Sequence, residues 1–217
     1  IYQSMLRLKT MIGCIIQARM SSTRLPEKVL KKLDDTTTSL GFSINQIKAS
    51  KLLERIVIAT SNNKEDDKIV NFAKENNIEF FRGSLDDVLD RHYKCAKKFS
   101  FTTIVRIPSD KPLIDPQIID NTIEFFNSNS YDYVANYDIV KPYTQGTEVE
   151  VFSFESIKKA WKMASNPSEK EHVTPYLYKN PEQFKIFRIV EKDTTRPLRW
   201  ALDTEEDLFL IRKIISK

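Results

Sequence analysis

The chain has 217 residues, enough to bury a full core, and its 41% hydrophobic and 29% charged residues are the balance of a soluble globular protein. No apolar run approaches the roughly 20 residues that span a bilayer, and the opening segment lacks the order of a signal peptide, so a cytoplasmic protein with no membrane partner is expected. Lysine and arginine number 34 against 30 aspartates and glutamates, a mild excess spread without a basic block, which argues against a nucleic-acid partner.

The first ten residues, with Tyr2-Gln3-Ser4 ahead of Met5, are expected to be an expression remnant or an N-terminal extension, and residues 11–217 a single domain starting near Met5 or Met11. Ile12–Ile16 is a short apolar run rich in isoleucine and reads as a buried strand. The loop leaving it, Gln17 to Lys28, interleaves Arg19, Arg24 and Lys28 with Ser21, Ser22 and Thr23 and carries Pro26 near its end. Arginine forks, a lysine and small hydroxyl residues supply charge-assisted hydrogen bonds to a polyanion, and in open α/β sheets ligands sit beyond the carboxyl ends of strands. A solvated basic loop has the same composition. Only four glycines occur, too few for a glycine-rich dinucleotide or Walker-type loop, so phosphate binding would fall to cations, hydroxyls and metal.

Lys31–Thr38 is polar and turn-like, and LGFSINQIKASK follows with helical spacing through Leu40, Ile44 and Ile47. Arg55–Ser61 reads as a strand, EDDKIVNFAKENN as a helix, Ile78–Arg82 as a strand, and the segment from Leu85 through Phe99 as a helix. Thr102–Ile107 is a further strand running into PSDKPLIDP, where Asp115 before Pro116 reads as a cap or turn residue. This alternation predicts an α/β protein with a mostly parallel central sheet and helices on both faces. Beyond it come a helix over IIDNTIEFFNS, a strand over YDYVANY and an alternating strand over Tyr143–Ser153. A helix over FESIKKAWKMAS and a second over EKEHVTPYLYKN, interrupted or opened by Pro175, precede short strands in FKIFRIV and RWALD and a terminal helix over TEEDLFLIRKIISK. Cys14 and Cys95 lack metal-ligand spacing and read as core residues in a reducing compartment; His92, Trp161 and Trp200 read as structural.

IIQARMSSTRLPEKVL, VLDRHYKCAKKF, RIPSDKPLIDP, YTQGTEVEVFSFESIKKAW, EHVTPYLYKNPEQF and RWALDTEEDL, taken in this order, resemble the spore coat polysaccharide biosynthesis protein F family. That family is similar to the cytidylyltransferases that activate 3-deoxy-manno-octulosonate and acylneuraminate sugars. The resemblance, from about Met11 to the end, implies a nucleotide-sugar transferase fold (GT-A-like, nucleotidyltransferase) with a small β-containing projection. It also implies the reaction CTP plus sugar to CMP-sugar plus pyrophosphate, with Mg2+, in a homodimer where a projecting segment of one subunit lies near the sugar site of the other. The sugar would be an acidic 2-keto sugar destined for surface polysaccharide.

Carried onto this chain, the resemblance makes Arg19, Lys28 and Asp110 the catalytic residues. Gln17, Ala18, Arg19, Ser21, Ser22, Arg24 and Lys28 would bind the nucleotide, with Arg82, Gly83 and Ser84 near base and ribose. Asp110 and Asp203 would hold magnesium, since two carboxylates with phosphate oxygens and water form a hard-oxygen environment. Gln145, Gly146, Glu148, Glu150, Glu171 and His172 would face the sugar, and Arg199 either meets an acidic sugar or lies on a solvated face.

The chain departs from the family pattern at Glu27, where relatives commonly have Gly, and at Pro108, Ser109 and Lys111, where they show Thr, Gly and Cys. It also lacks the usual Gly-x-Pro turn after Leu33. Glu27 would set an anion beside the phosphates, while Lys111 would either replace a cation there or pair with Asp110. The Glu148 and Glu150 pair leaves open a nucleotidyl- or glycosyltransferase acting on another sugar, and Glu27, Ser109 and Lys111 leave open a non-catalytic nucleotide- or sugar-binding homologue.

Overall fold

The structure is a computed structural model that describes residues 10–137, 144–190 and 198–217. The expectation of an N-terminal remnant over residues 1–10 falls almost wholly outside the described residues, as does Tyr143 at the start of its expected strand. Among the described residues, seven strands form one sheet in the order β3-β2-β1-β4-β6-β5-β7. They are β1 (Ile12–Gln17), β2 (Arg55–Ser61), β3 (Glu79–Gly83), β4 (Thr103–Pro108), β5 (Tyr133–Ala135), β6 (Glu150–Ser153) and β7 (Ile186–Arg188). All pairings are parallel except those of β6, which runs antiparallel to β4 and β5.

Continuous apolar runs build the parallel strands because both sheet faces are covered. Alternate residues of β1 separate the two cores. Cys14 and Ile16 face α1 (Ser39–Lys48), α2 (Asp67–Glu75) and α4 (Pro116–Ser128), through Leu40, Ile44, Ile69, Ile119 and Ile123. Ile15 faces the other way, toward α3 (Val88–Lys98), α5 (Phe154–Met163) and α7 (Pro175–Lys179), with Leu89, Ile157 and Leu177. Both cysteines are buried, and burial pushes the Cys95 thiol up to about 12. Two further helices, α6 (Pro167–His172) and α8 (Glu205–Ile215), complete the described elements. On α8, Leu208 and Ile211 pack with Leu25, Leu33 and Leu202, so the terminal helix braces the loop after β1.

Helix starts follow cap chemistry. Thr38, Asp87 and Asp115 accept hydrogen bonds from Gly41, Asp90 and Gln117 backbone N–H groups, so the third helix begins at Val88 rather than Leu85. The segment EKEHVTPYLYKN is broken into α6 and α7 at Val173, whose φ of 73° lies in the left-handed region, with Pro175 opening α7.

Two expected strands are corrected. Of Tyr143–Ser153 only Glu150–Ser153 is a strand, because Gly146 (φ 104°) turns the chain and Thr147 folds back on the Thr144 carbonyl. A Cβ at Gly146 would lie 2.6 Å from Ala201 N, so only glycine allows this crossing. RWALD forms no strand; Arg199 makes an isolated bridge with Gln145 and Leu202 N–H donates to the Asp110 carbonyl at 2.8 Å. Among the described residues no helix is long and apolar enough to cross a membrane.

Candidate active site

A cleft of about 570 Å³ opens beyond the carboxyl ends of β1 and β4. The loop Gln17–Lys28 lines one wall by alternating anchors with exposed polar groups. Ala18, Met20 and Leu25 are buried, while Arg19, Ser21 and Arg24 between them are exposed and line the cleft. Backbone ties hold this shape: Ala18 N–H donates to the Ala59 carbonyl at 3.1 Å, and Met20 N–H to Asp66 Oδ1 at 2.7 Å. Asp66 is fully buried and also accepts from the Ser61 N–H and hydroxyl, so an aspartate outside the motif sets the loop.

Glu27 closes the loop with φ 57°, a left-handed conformation glycine adopts without strain. Its carboxylate pairs with Lys68 of α2 and does not line the cleft, which corrects the expectation of an anion beside the phosphates. The turn it makes feeds a short 3-10 segment, Lys28–Leu30, that sends the Lys28 side chain inward.

At the inner end stand the two aspartates. Lys28 Nζ lies 2.8 Å from Asp203 Oδ1 and 3.4 Å from Asp110 Oδ2. Arg24 and Arg199 also pair with Asp203, at 3.1 and 2.7 Å. Burial would raise the Asp203 pKa, but the bonds from Lys28 and Arg199 and the Arg24 charge outweigh it and hold the carboxyl below its usual range. Asp110 Oδ1 is buried and has no hydrogen-bond partner among the described residues.

That orphaned oxygen, beside a second carboxylate, fits a hard divalent cation. No cluster of three or more histidine, cysteine or acidic side chains suited to a metal exists among the described residues, so substrate oxygens and water would complete its shell. Arg199 pairs with Asp203 and Asp207.

A second chamber of about 340 Å³ adjoins the cleft and shares Gln17, Pro108 and Asp110 with it. Gln145, Glu148 and Glu150 line this chamber, whereas Glu171 and His172 line the first cleft from α6, so the expected sugar-facing set is divided. Lys111 is buried here, donating to the Glu148 carbonyl at 2.7 Å and pairing with its carboxylate at 2.9 Å. Contrary to both expected roles, it therefore neither serves the phosphate loop nor pairs with Asp110, because three residues past the end of β4 its ammonium is engaged by Glu148. Glu150 is 3% exposed and saturated: Tyr133, Tyr137 and Thr174 hydroxyls donate to it at 2.6, 3.1 and 2.6 Å, and Arg106 pairs with it. Burial would raise its pKa, yet Arg106 and these donors lower it. Arg106 in turn donates from Nε to Gln17 Oε1 at 3.0 Å, which orients Gln17 where the chambers meet.

Arg82, Gly83 and Ser84 do not line the cleft. Arg82 donates to the Ser61 and Asn63 carbonyls and pairs with Asp67, so it secures the β2–α2 turn. Gly83 and Ser84 instead seat Arg91. A Cβ at Gly83 would lie 2.9 Å from Arg91 Cγ, and the Ser84 carbonyl accepts from Arg91 Nη1 at 2.7 Å.

Arg91 is 2% exposed, lines the cleft, and has an Nε with no partner among the described residues. Burial lowers its pKa to about 10 against the Asp66 charge, with Arg19 adding to the fall. Sequence reasoning missed it, although an arginine on the stripe carrying Val88 and Cys95 was the available signal.

The cytidylyltransferase family profile matches residues 13–213. An uncharacterized protein of Methanocaldococcus jannaschii is 41% identical over 198 residues, 90% of this chain and 79% of that protein. The spore coat polysaccharide biosynthesis protein SpsF of Bacillus subtilis is 30% identical over 212 residues, 94% of this chain and 85% of that protein. The solved structure of a cytidylyltransferase from Leptospira borgpetersenii superposes with a TM-score of 0.89 at 34% identity, covering 95% of this chain and 87% of that one.

Proposed function

The chain belongs to the cytidylyltransferase family of nucleotidyltransferase enzymes, and from that membership we propose that it transfers CMP from CTP to a sugar hydroxyl, releases pyrophosphate, and serves surface-polysaccharide synthesis in the cytoplasm as a homodimer. The observation that carries the reading is the position of Asp110: it lines both chambers, so a nucleotide in one and a sugar in the other would meet beside it. Arg19, Arg24 and the Ser21 and Ser22 hydroxyls would bind the triphosphate, and Arg91 would add a buried cation from the opposite wall. Gln17, held by Arg106, would orient the reacting groups at the junction. Asp110 and Asp203 would hold Mg2+, which when bound supplies neutralisation of phosphate charge as pyrophosphate leaves.

The acidic 2-keto sugar rests on the family resemblance. A second reading, a neutral or amino-bearing sugar, is favoured by the pairing of both chamber cations among the described residues, Arg106 by Glu150 and Lys111 by Glu148. A thermal-shift screen of nucleoside triphosphates with and without magnesium tests the nucleotide. At about 100 times its dissociation constant a ligand contributes about 2.7 kcal/mol, roughly 5 °C or more for a chain of this size. A magnesium-enhanced shift with CTP, absent in Asp110→Asn, is expected, followed by pyrophosphate release with one member of a panel of acidic, neutral and amino sugars. Equal or absent shifts with every nucleotide would overturn the proposal.

A further inference from the structure

Lys28 stands where the two aspartates would otherwise face each other. Its ammonium is within 3.4 Å of Asp110 and 2.8 Å of Asp203, and among the described residues no other cation pairs with both. The lysine side chain is 17% exposed, Asp203 10% and Asp110 27%, so bulk water reaches the pair only in part and chiefly at Asp110. Bringing two such carboxylates together requires a counter-ion in place.

The local charge balance points the same way. Asp110, Asp203 and Asp207 meet Lys28, Arg24 and Arg199, so three anions face three cations and the cluster holds no surplus negative charge for a divalent ion. A triphosphate changes that balance. Lys28 also lines the cleft with Arg19 and Arg24, and its flexible stem lets the ammonium turn from the aspartates to phosphate oxygens without moving the backbone.

We propose that Lys28 is the resident counter-ion of the Asp110–Asp203 pair and excludes divalent metal until nucleotide arrives. The triphosphate draws the ammonium, and with it Arg24 of the same cleft, away from the aspartates and leaves Asp203 paired with Arg199, so metal and nucleotide enter together while metal alone is refused. This ordering rests on the nucleotide reading of the cleft given above.

The test is a Mn2+ titration followed by the electron paramagnetic resonance signal of the free ion, on protein without nucleotide and then with CTP. In wild type, Mn2+ binds weakly alone and tightly with CTP. Lys28→Met, or Lys28→Gln should the methionine disturb the fold, binds Mn2+ alone about tenfold more tightly or better, as loss of a competing charge requires. Adding Asp110→Asn to either variant removes the gain, which locates it at the aspartate pair. The proposal is overturned if neither lysine variant gains affinity, or if wild type binds Mn2+ alone as tightly as the lysine variants do. Because the nucleotide-free arm reads the lysine's competition directly, a wild-type protein that ignores CTP would count against the cytidylyltransferase reading instead.

Discussion

At the scale of single residues, His92 and Arg91 are neighbours on α3 with opposite fates. His92 is fully enclosed, with Nδ1 2.9 Å from the Val88 carbonyl, and burial followed by the Arg106 and Arg91 charges holds its pKa well below 6.5. The folded ring stays neutral while the unfolded chain takes up a proton near its ordinary value. Stability from this site is therefore full above about pH 6.5 and falls by about 1.4 kcal/mol per pH unit below it, until the folded ring itself protonates. Thermal unfolding of wild type should lose more between about pH 7.5 and about pH 5.5 than that of His92→Leu. Equal losses in the two proteins would remove His92 as the source.

Among the elements, α8 links local sequence to the site most directly. Thr204 and Asp207 form a capping box, and the same Asp207 Oδ2 accepts from Asp203 N–H at 2.8 Å, so the helix cap also fixes a site aspartate. Thr204→Ala should cost about 1 kcal/mol, a fall in melting midpoint of about 2–4 °C. Should the midpoint not move, backbone packing through Leu208 and Ile211 alone would be holding the helix end. The parallel strands and capped helices were legible because burial on both faces, helical spacing and Asp or Thr caps are local signals. The strand expected over Tyr143–Ser153 was not, since alternation is only a tendency and the Gly146 crossing depends on a segment more than fifty positions away in sequence.

On the scale of the whole molecule, Glu150 joins parts that no local pattern relates. It sits on β6 and is bonded by Tyr133 of β5, Arg106 of β4 and Thr174 at the start of α7, and Arg106 passes the contact to Gln17 of β1. Removing it leaves a buried guanidinium without its charge partner. Glu150→Ala should lower unfolding stability by about 3–5 kcal/mol in urea titrations, and Glu150→Gln by less, because the amide still accepts from the hydroxyls. A loss below about 1 kcal/mol for the alanine variant would mean that water reaches Arg106.

The basic loop at the end of a buried strand, the alternation of strands and helices, the capped helix starts and the family pattern were all determined by the sequence itself, because each depends on residues close together in the chain. Tertiary structure decided which side chains converge. It took Arg82, Glu27 and Lys111 away from the cleft by giving each a partner on another element, and it brought Arg91 in through Gly83 and Ser84. It likewise made Glu150, which lines the second chamber, the anchor of Arg106. The physical reason for the buried groups, Lys111, Glu150 and Arg106, is that a buried charge goes where its burial can be compensated, while Glu27 and Arg82 take partners at the surface; in each case the partner lies far off in sequence.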